Sequence, residues 1–185
     1  SSKYGFGKTA CWNCPVGATC AGGAAFSSKV AGATWAEDAA TGKMVLQLCP
    51  AGSYKLNATH DTQQCVVCPE GSSVEGAACM CSAGRAATSS TVTTASDCTP
   101  CAAGTYKTAA GNTACTQCPT GATSLPGSTA ASACTCGTGS ELTTRECVCS
   151  AGLAGDATVQ SGGVAQCTAC AVGTYKTAAG NTACT

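Results

Sequence analysis

Short apolar and aromatic stretches alternate along this chain with longer runs of small and polar residues. The segments GSYKL (52–56), VVC (66–68) and GTYKT (104–108) are bounded by Gly, Pro and Ser, which predicts short hairpin strands joined by tight turns. KMVLQL (43–48) also predicts a strand. ATWAEDAA (33–40) predicts either a helical turn or a loop. The pattern therefore indicates many short hairpins and little other regular structure.

The apolar residues are too few and too small for a large core. Hydrophobic residues make up 44% of the 185, but Val, Leu, Met, Phe, Trp and Tyr together number only 27, and isoleucine is absent. The remainder is Ala, which has little side chain to bury, and Cys. The 19 cysteines are therefore the expected source of order.

The charge balance excludes several classes of partner. Nine basic residues balance nine acidic ones, and nucleic-acid binding, which needs a basic stripe, is not expected. No run approaches 18 apolar residues, so we expect no membrane span in this segment. No glycine-rich phosphate loop is present, and no cofactor is expected.

The cysteines follow a fixed pattern. Ten of them begin the motif Cys-x-x-Gly, and a glycine at a constant offset indicates a turn with positive φ or a close backbone approach. From Cys49 onward these opening cysteines alternate strictly with closing ones. The ten openers are Cys14, Cys20, Cys49, Cys68, Cys81, Cys101, Cys118, Cys136, Cys149 and Cys170.

A longer period is also present. The segment GTYKTAAGNTACT occurs at 104–116 and again at 173–185, a shift of 69 residues. Such self-similarity is typical of a tandem array in which each unit leans on its neighbours. Both ends look cut inside a repeat, so we expect a segment of a longer array. The odd cysteine count agrees, because one cysteine must find its partner elsewhere or stay free.

Two uses of the cysteines compete, disulfides and zinc. Cys-x-x-Cys occurs five times, and the spacing of Cys98/Cys101 with Cys115/Cys118 is close to that of a zinc ribbon. Uniform loops and three Cys-x-Cys pairs favour disulfides, and no metal site is expected. Each bridge closing about 15 residues would stabilise by about 3 kcal/mol in the chain-entropy model.

No catalytic constellation is recognisable. A thioredoxin-type use of Cys-x-x-Cys needs a βαβ context, and none is visible. His60 is the one histidine and is interpreted as a solvated loop residue. Glu37 and Asp38 are interpreted as surface carboxylates, and no acidic cluster suggests calcium. We therefore expect no enzyme.

Two regions are candidates for glycosylation. Asn57 begins the sequon Asn-Ala-Thr in a predicted loop, and a secreted chain would carry a glycan there. The run TSSTVTTAS at 88–96 is a candidate for O-glycans, with a flexible polar loop as the alternative. The O-glycan candidates are Thr88, Ser89, Ser90, Thr91, Thr93 and Thr94.

The stretch 98–147 has the frame Cys-x-x-Cys, Gly-Thr-Tyr, Cys-x-x-Cys-Pro, Cys-x-Cys and a final cysteine. This frame resembles the ephrin-receptor-like cysteine-rich repeat, which is related to EGF-like modules of eukaryotic surface proteins. The stretch 49–98 repeats it, and 167–185 begins it again. The resemblance implies a small disulfide-rich fold of tandem EGF-like or ephrin-receptor-like modules with short β-hairpins, arranged as an extended rod.

The resemblance also implies a disulfide order, without settling it. EGF-like pairing would give Cys49–Cys68, Cys65–Cys79, Cys81–Cys98, Cys101–Cys118, Cys115–Cys134 and Cys136–Cys147, with Cys149–Cys167 as an extra loop. Pairing each opener with the next closer, as in Cys101–Cys115 and Cys118–Cys134, fits the alternation equally well. The EGF-like order is preferred slightly.

The expected organisation is a partial repeat with a cysteine-poor insert (1–48), two modules (49–98 and 99–147), and an extra loop with the start of another module (148–185). Protist surface antigens and flagellar-hair proteins have similar composition. We expect a non-enzymatic extracellular protein that self-associates into, or decorates, a glycosylated filament or coat at the cell surface. The alternative is a set of spacer modules in a receptor or adhesion ectodomain.

Overall fold

Tight turns at glycine and short β-branched or aromatic segments build a chain of small hairpins. The computed structural model describes residues 3–5, 11–56, 59–161 and 164–185. Each strand pairs with its neighbour in sequence as a two-stranded sheet. Within these described ranges there is no α-helix, only single 3-10 turns at His60–Thr62, Ala95–Asp97 and Ala131–Ala133. The fold is therefore small, nearly all-β and built of short hairpins, as the sequence predicts.

The strands are β1 (Lys3–Tyr4), β2 (Trp12–Asn13), β3 (Ala18–Gly22), β4 (Ala25–Ser28), β5 (Thr34–Glu37), β6 (Met44–Leu48), β7 (Ser53–Leu56), β8 (Gln64–Val67), β9 (Ser72–Glu75), β10 (Ala78–Cys81), β11 (Arg85–Ala87), β12 (Cys98–Pro100), β13 (Thr105–Tyr106), β14 (Thr116–Gln117), β15 (Ser140–Leu142), β16 (Cys147–Cys149), β17 (Leu153–Ser161) and β18 (Val164–Ala169).

The segment ATWAEDAA differs from its prediction. KMVLQL does contain a strand, β6, but the residues expected to form a helical turn or loop supply its partner, β5. Trp35 lies opposite Leu46, and its ring packs edge-on against Phe26 with centroids 5.2 Å apart. Aromatic and β-branched residues favour a pleated, half-buried surface, so the contact with Phe26 selects the strand.

Nine disulfides close the loops of the described chain. Cys14 pairs with Cys20, and the other eight bonds join an opening cysteine to the next closing one. Those eight are Cys49–Cys65, Cys68–Cys79, Cys81–Cys98, Cys101–Cys115, Cys118–Cys134, Cys136–Cys147, Cys149–Cys167 and Cys170–Cys184. Cys11 is free and exposed.

The EGF-like order is therefore wrong at four bonds. The expected pairs Cys49–Cys68, Cys65–Cys79, Cys101–Cys118 and Cys115–Cys134 are replaced by bonds within single loops. The bonds Cys81–Cys98, Cys136–Cys147 and Cys149–Cys167 are common to both orders and are present.

Hairpin formation explains the local pairing. Strands β7 and β8 run antiparallel with Lys55 opposite Cys65, which returns the end of the loop to its start. Cys49 and Cys65 then lie with their Cα atoms 5.6 Å apart, within the range that a disulfide spans. The two cysteines of a Cys-x-x-Cys motif are only three positions apart. Exchanging them changes each loop length by only three residues, so loop lengths alone are compatible with both the EGF-like and the opener-to-closer order.

Cysteine sulfur supplies much of the buried material. Cys81, Cys147 and Cys149 have no exposed surface, and Cys101 has 1%. Cys147 and Cys149 pack with Ala157 as one small cluster. Tyr4 and Leu46 are the largest apolar side chains that are fully buried in the described part of the chain. Crosslinks thus take the place of a large apolar core.

The chain divides into two compact units. One consists of Ser1–Met80 and Thr91–Ala95, the other of Cys81–Ser90 and Ser96–Thr185. Among the residues described, no helix has the length and apolarity needed to cross a membrane.

Candidate functional site

The glycine of the Cys-x-x-Gly motif shapes a tight turn beside each opening cysteine. After Cys49, the Ser53 N–H donates to the Pro50 carbonyl oxygen at 3.1 Å, and Gly52 has a φ of 78°. Positive φ at this third turn position defines a type II turn and favours glycine. Nine of the ten motif glycines have φ between 57° and 86°. The tenth, Gly17, packs directly against backbone instead.

A buried lysine fastens the first repeat copy (104–116) to the turn that opens the Cys81–Cys98 loop. The Lys107 ammonium donates to the carbonyl oxygens of Cys81 at 3.3 Å and Arg85 at 2.8 Å, and also to that of Gly111. In return, the Gly84 N–H donates to the Lys107 carbonyl at 2.9 Å. The lysine therefore joins two successive disulfide loops.

An asparagine completes this junction. The Asn112 side-chain oxygen accepts from the Cys81 N–H at 3.2 Å, and its amide nitrogen donates to the Ser90 carbonyl at 3.1 Å. Between them, the Gly111 N–H donates to the Cys81 carbonyl at 2.9 Å. We call the unit formed by Lys107, Gly111 and Asn112 the clamp.

The second repeat copy (173–185) forms an equivalent clamp. The Lys176 ammonium donates to the carbonyls of Cys149 at 3.4 Å and Leu153 at 2.8 Å, and also to that of Gly180. Asn181 accepts from the Cys149 N–H at 3.1 Å. The same residue types thus hold the same kind of turn twice in one chain.

The electrostatics of the clamp follow from burial. Lys107 is only 5% exposed, and burial lowers the pKa of its ammonium group because desolvation penalises the charged form. Hydrogen bonds from a charged donor to three carbonyl oxygens offset that penalty. Since all three acceptors are backbone atoms, the clamp depends on the shape of the turn and little on its side chains.

A second polar network lies in the other unit, around Tyr4. The Tyr4 hydroxyl accepts from the Met44 N–H at 2.7 Å and lies 3.1 Å from His60 Nε2. His60 Nδ1 lies 2.7 Å from Asp61, which also accepts from the Asn13 amide at 3.1 Å. Burial raises the pKa of Tyr4.

The interpretation of His60 as a solvated loop residue is therefore wrong. Its side chain is only 15% exposed and is bonded on both ring nitrogens. With the proton on Nδ1 donated to Asp61, Nε2 accepts from the Tyr4 hydroxyl. The network fastens strand β1 to the 3-10 turn at His60–Thr62.

The disulfides leave Cys11 as the free thiol that could bind a metal ion. Eighteen of the cysteines are in disulfides and have no thiolate to offer a zinc ion. In the described ranges no group of three or more His, Cys, Asp or Glu side chains could hold a metal ion.

The glycosylation candidates are placed only in part. Asn57 lies outside the described residues. The O-glycan candidates Thr88, Ser89, Ser90, Thr91, Thr93 and Thr94 are all exposed. Glycosylation at both regions stays a prediction.

One family of known proteins matches the part of the chain that contains the first clamp. Residues 88–134 match the family described as tyrosine-protein kinase ephrin type A/B receptor-like. Over these residues the chain is similar to ephrin-receptor-like cysteine-rich modules. The match covers about a quarter of the chain and includes the loops closed by Cys101–Cys115 and Cys118–Cys134. No curated protein matches the chain.

The ephrin-receptor-like type bears on location and activity. It is a module type of receptor ectodomains rather than an enzyme. Together with nine disulfides, which persist in oxidising compartments, it fits an extracellular role.

Sequence reasoning missed the clamp. Lys107 and Asn112 looked like ordinary polar residues of a repeat, although the duplication of their spacing at Lys176 and Asn181 was a usable signal. A lysine and an asparagine retained at the same positions in two copies of a cysteine module indicate a common structural task.

Proposed function

We propose that this chain is a non-enzymatic structural segment of an extracellular protein, in which ephrin-receptor-like modules form or decorate a filament or coat at the cell surface. The observation that supports this most is the duplicated clamp. Lys107 and Lys176 each bind the backbone of a Cys-Ser-Ala-Gly turn, so modules can be added by one repeated geometry. Repeated junctions of this kind suit an array better than a single ligand pocket.

Surface composition favours the same role. The low charge and small residues allow close lateral packing, and the sequon at Asn57 and the exposed hydroxyls of 88–94 provide places for glycans. The modules we propose are 49–98 and 99–147, flanked by the partial repeats 1–48 and 148–185.

A second function has an observation in its favour. The match at 88–134 is to a family named for receptors, which supports spacer modules in a receptor or adhesion ectodomain. Such spacers hold a ligand-binding domain away from the membrane and need no self-association.

Electron microscopy of the secreted, oxidised protein separates the two. A structural coat protein gives filaments or sheets with a regular axial repeat, and antibodies against the chain label such structures on the source cells. A spacer gives single particles at every concentration, with a monomer mass in sedimentation. Monomers combined with antibody labelling of isolated receptor particles would overturn the filament proposal.

A further inference from the structure

The segment GTYKTAAGNTACT occupies two different environments in one chain. In the first copy (104–116) Tyr106 is half-buried and Lys107 is 5% exposed. In the second copy (173–185) the equivalent Tyr175 is 66% exposed and Lys176 is half-buried. Val172, just before the second copy, is fully exposed. Because the two sequences are identical, the difference must come from what covers them.

A following loop (123–129) covers the first copy. The Gly104 N–H donates to the Ser124 carbonyl at 3.0 Å, and the Ser124 hydroxyl donates to the Thr105 carbonyl at 2.9 Å. Ser124 is only 6% exposed as a result. One serine thus binds the backbone of two successive repeat residues.

The far end of the loop makes two more backbone bonds. The Lys107 N–H donates to the Ser128 carbonyl at 3.1 Å, and the Gly127 N–H donates to the Cys101 carbonyl at 2.8 Å. Tyr106 and Ser128 form a parallel bridge. The loop therefore adds to the hairpin as a short extra strand, a mode by which extended segments are commonly recognised.

The loop is shaped in advance for this task. Leu125, Pro126, Gly127 and Ser128 form a tight turn in which the Ser128 hydroxyl donates to the Leu125 carbonyl at 2.7 Å. Gly127 has a φ of 77°. Proline second and glycine third are the residues that a type II turn favours, so little order is lost on docking.

The glycines of the two turns that the clamps hold show the same difference. Gly84 lies under the loop, and a Cβ there would be 2.3 Å from the Gly127 carbonyl oxygen. Gly152, the equivalent glycine of the turn held by the second clamp, has open space. No described segment takes the place of 123–129 over the second copy.

We infer that the open face formed by Gly152 and residues 170–176 binds a loop of sequence Thr-Ser-Leu-Pro-Gly-Ser from another module of this type. We infer this ligand because, in the first copy, a loop of that sequence binds a hairpin of the same sequence. This deepens the proposed function by naming the partner of a module junction, but such a loop would dock equally in a receptor spacer. The inference and the filament proposal can therefore fail separately.

The expected bonds follow from the first copy. The Gly173 and Lys176 N–H groups would donate to the two serine carbonyls of the loop, and the Thr174 carbonyl would accept from the first serine hydroxyl. The Cys170 carbonyl would accept from the loop glycine. In the described chain these four groups of the second copy have no such partner.

A disulfide-closed peptide of residues 117–135 is the probe. Added to the full-length, 15N-labelled chain, it should shift the amide signals of Gly152, Gly173 and Lys176. The signals of Gly104 and Lys107 should not move, because their own loop already occupies that hairpin. A peptide with Ser124→Ala and Gly127→Ala, which lacks the hydroxyl donor and disfavours the turn, should leave all five signals unchanged.

A covalently extended form of the chain tests the same contact even if the free peptide binds weakly. Joining the sequence of residues 117–135 after Thr185 reproduces the connection of the first copy, and the Gly173 and Lys176 amides should then exchange with deuterium as slowly as those of Gly104 and Lys107. Unchanged fast exchange in this extended chain would overturn the inference. So would equal shifts at both copies, or protection of the open face by concentration-dependent dimers without any peptide.

Discussion

The ammonium group of Lys107 lies 2.8 Å from the carbonyl oxygen of Arg85, although the two residues belong to different disulfide loops. Together with the bonds to Cys81 and Gly111, this contact makes one lysine the link between consecutive crosslinked loops. Lys176 repeats the arrangement with Leu153. The stability of the junction between loops should therefore depend on these two ammonium groups.

Replacing Lys107 by Met should destabilise the protein more than the same change elsewhere. Lys107→Met keeps most of the aliphatic stem but leaves buried carbonyl oxygens without their charged donor, at a cost of about 2 kcal/mol. Lys176→Met should cost less, because Lys176 is only half-buried. Calorimetry of the oxidised proteins measures both. Lys29→Met, at an exposed position, is the control and should change stability by no more than about 0.5 kcal/mol. Equal losses at positions 29 and 107 would contradict the role of the clamp.

Alanine at the two equivalent turn glycines should distinguish backbone strain from loop packing. Gly84 and Gly152 have φ values of 75° and 78°, so Gly84→Ala and Gly152→Ala suffer similar strain. Gly84→Ala must also displace the Gly127 carbonyl, 2.3 Å from the new Cβ. We therefore expect the lower melting temperature for Gly84→Ala. Identical melting temperatures would show that the loop over Gly84 adds nothing.

Acid should weaken the network around Tyr4. The hydrogen bond from His60, followed by that from Asn13, lowers the pKa of Asp61 below its ordinary value of 3.8. The folded protein thus favours the ionised carboxylate, and this contribution is fully present above pH 3.8 and is lost as pH falls through the folded pKa. Carboxyl 13C signals followed from about pH 6 down to about pH 2 measure it.

Asn13→Ala tests the cause of that shift. Loss of one hydrogen-bond donor should move the Asp61 pKa upward, so the stabilisation is lost at a higher pH. Asp156, whose pKa is lowered by hydrogen bonds from Thr158, is the internal reference and should titrate as before. An unchanged Asp61 titration would mean that Asn13 has no part in it.

The disulfide order is directly measurable. Proteolysis without reduction, followed by mass spectrometry, should recover peptides that join Cys49 to Cys65 and Cys101 to Cys115. Peptides that join Cys49 to Cys68 would restore the EGF-like order and remove the local pairing on which the hairpins depend.

Short-range features were the ones that the sequence could predict. The turn at Gly52 and the strands of 52–56 and 43–48 follow from residue types within a few positions, and the structure contains them. The strand at Thr34–Glu37 escaped prediction because its reason is a contact between Trp35 and Phe26. Propensity over eight residues carries no information about a partner outside them.

The candidate site was harder to predict for the same reason. The burial of Lys107 depends on a turn 22 residues earlier in the chain, and nothing in its immediate neighbours indicates a buried charge. The disulfide order also required the structure, because exchanging two cysteines three positions apart barely changes the loop lengths. The duplicated segment was the one long-range signal that the sequence contained.

The local pairing of the cysteines has a consequence for synthesis and for evolution. Each bond spans between 6 and 18 positions, so a loop can close once its own two cysteines reach an oxidising compartment, without waiting for the cysteines of later loops. The disulfide loops follow one another along the sequence without overlap. Duplicating or deleting the DNA of a whole unit therefore leaves every remaining cysteine with its original partner. Chains of different lengths can therefore arise without redesigning any fold.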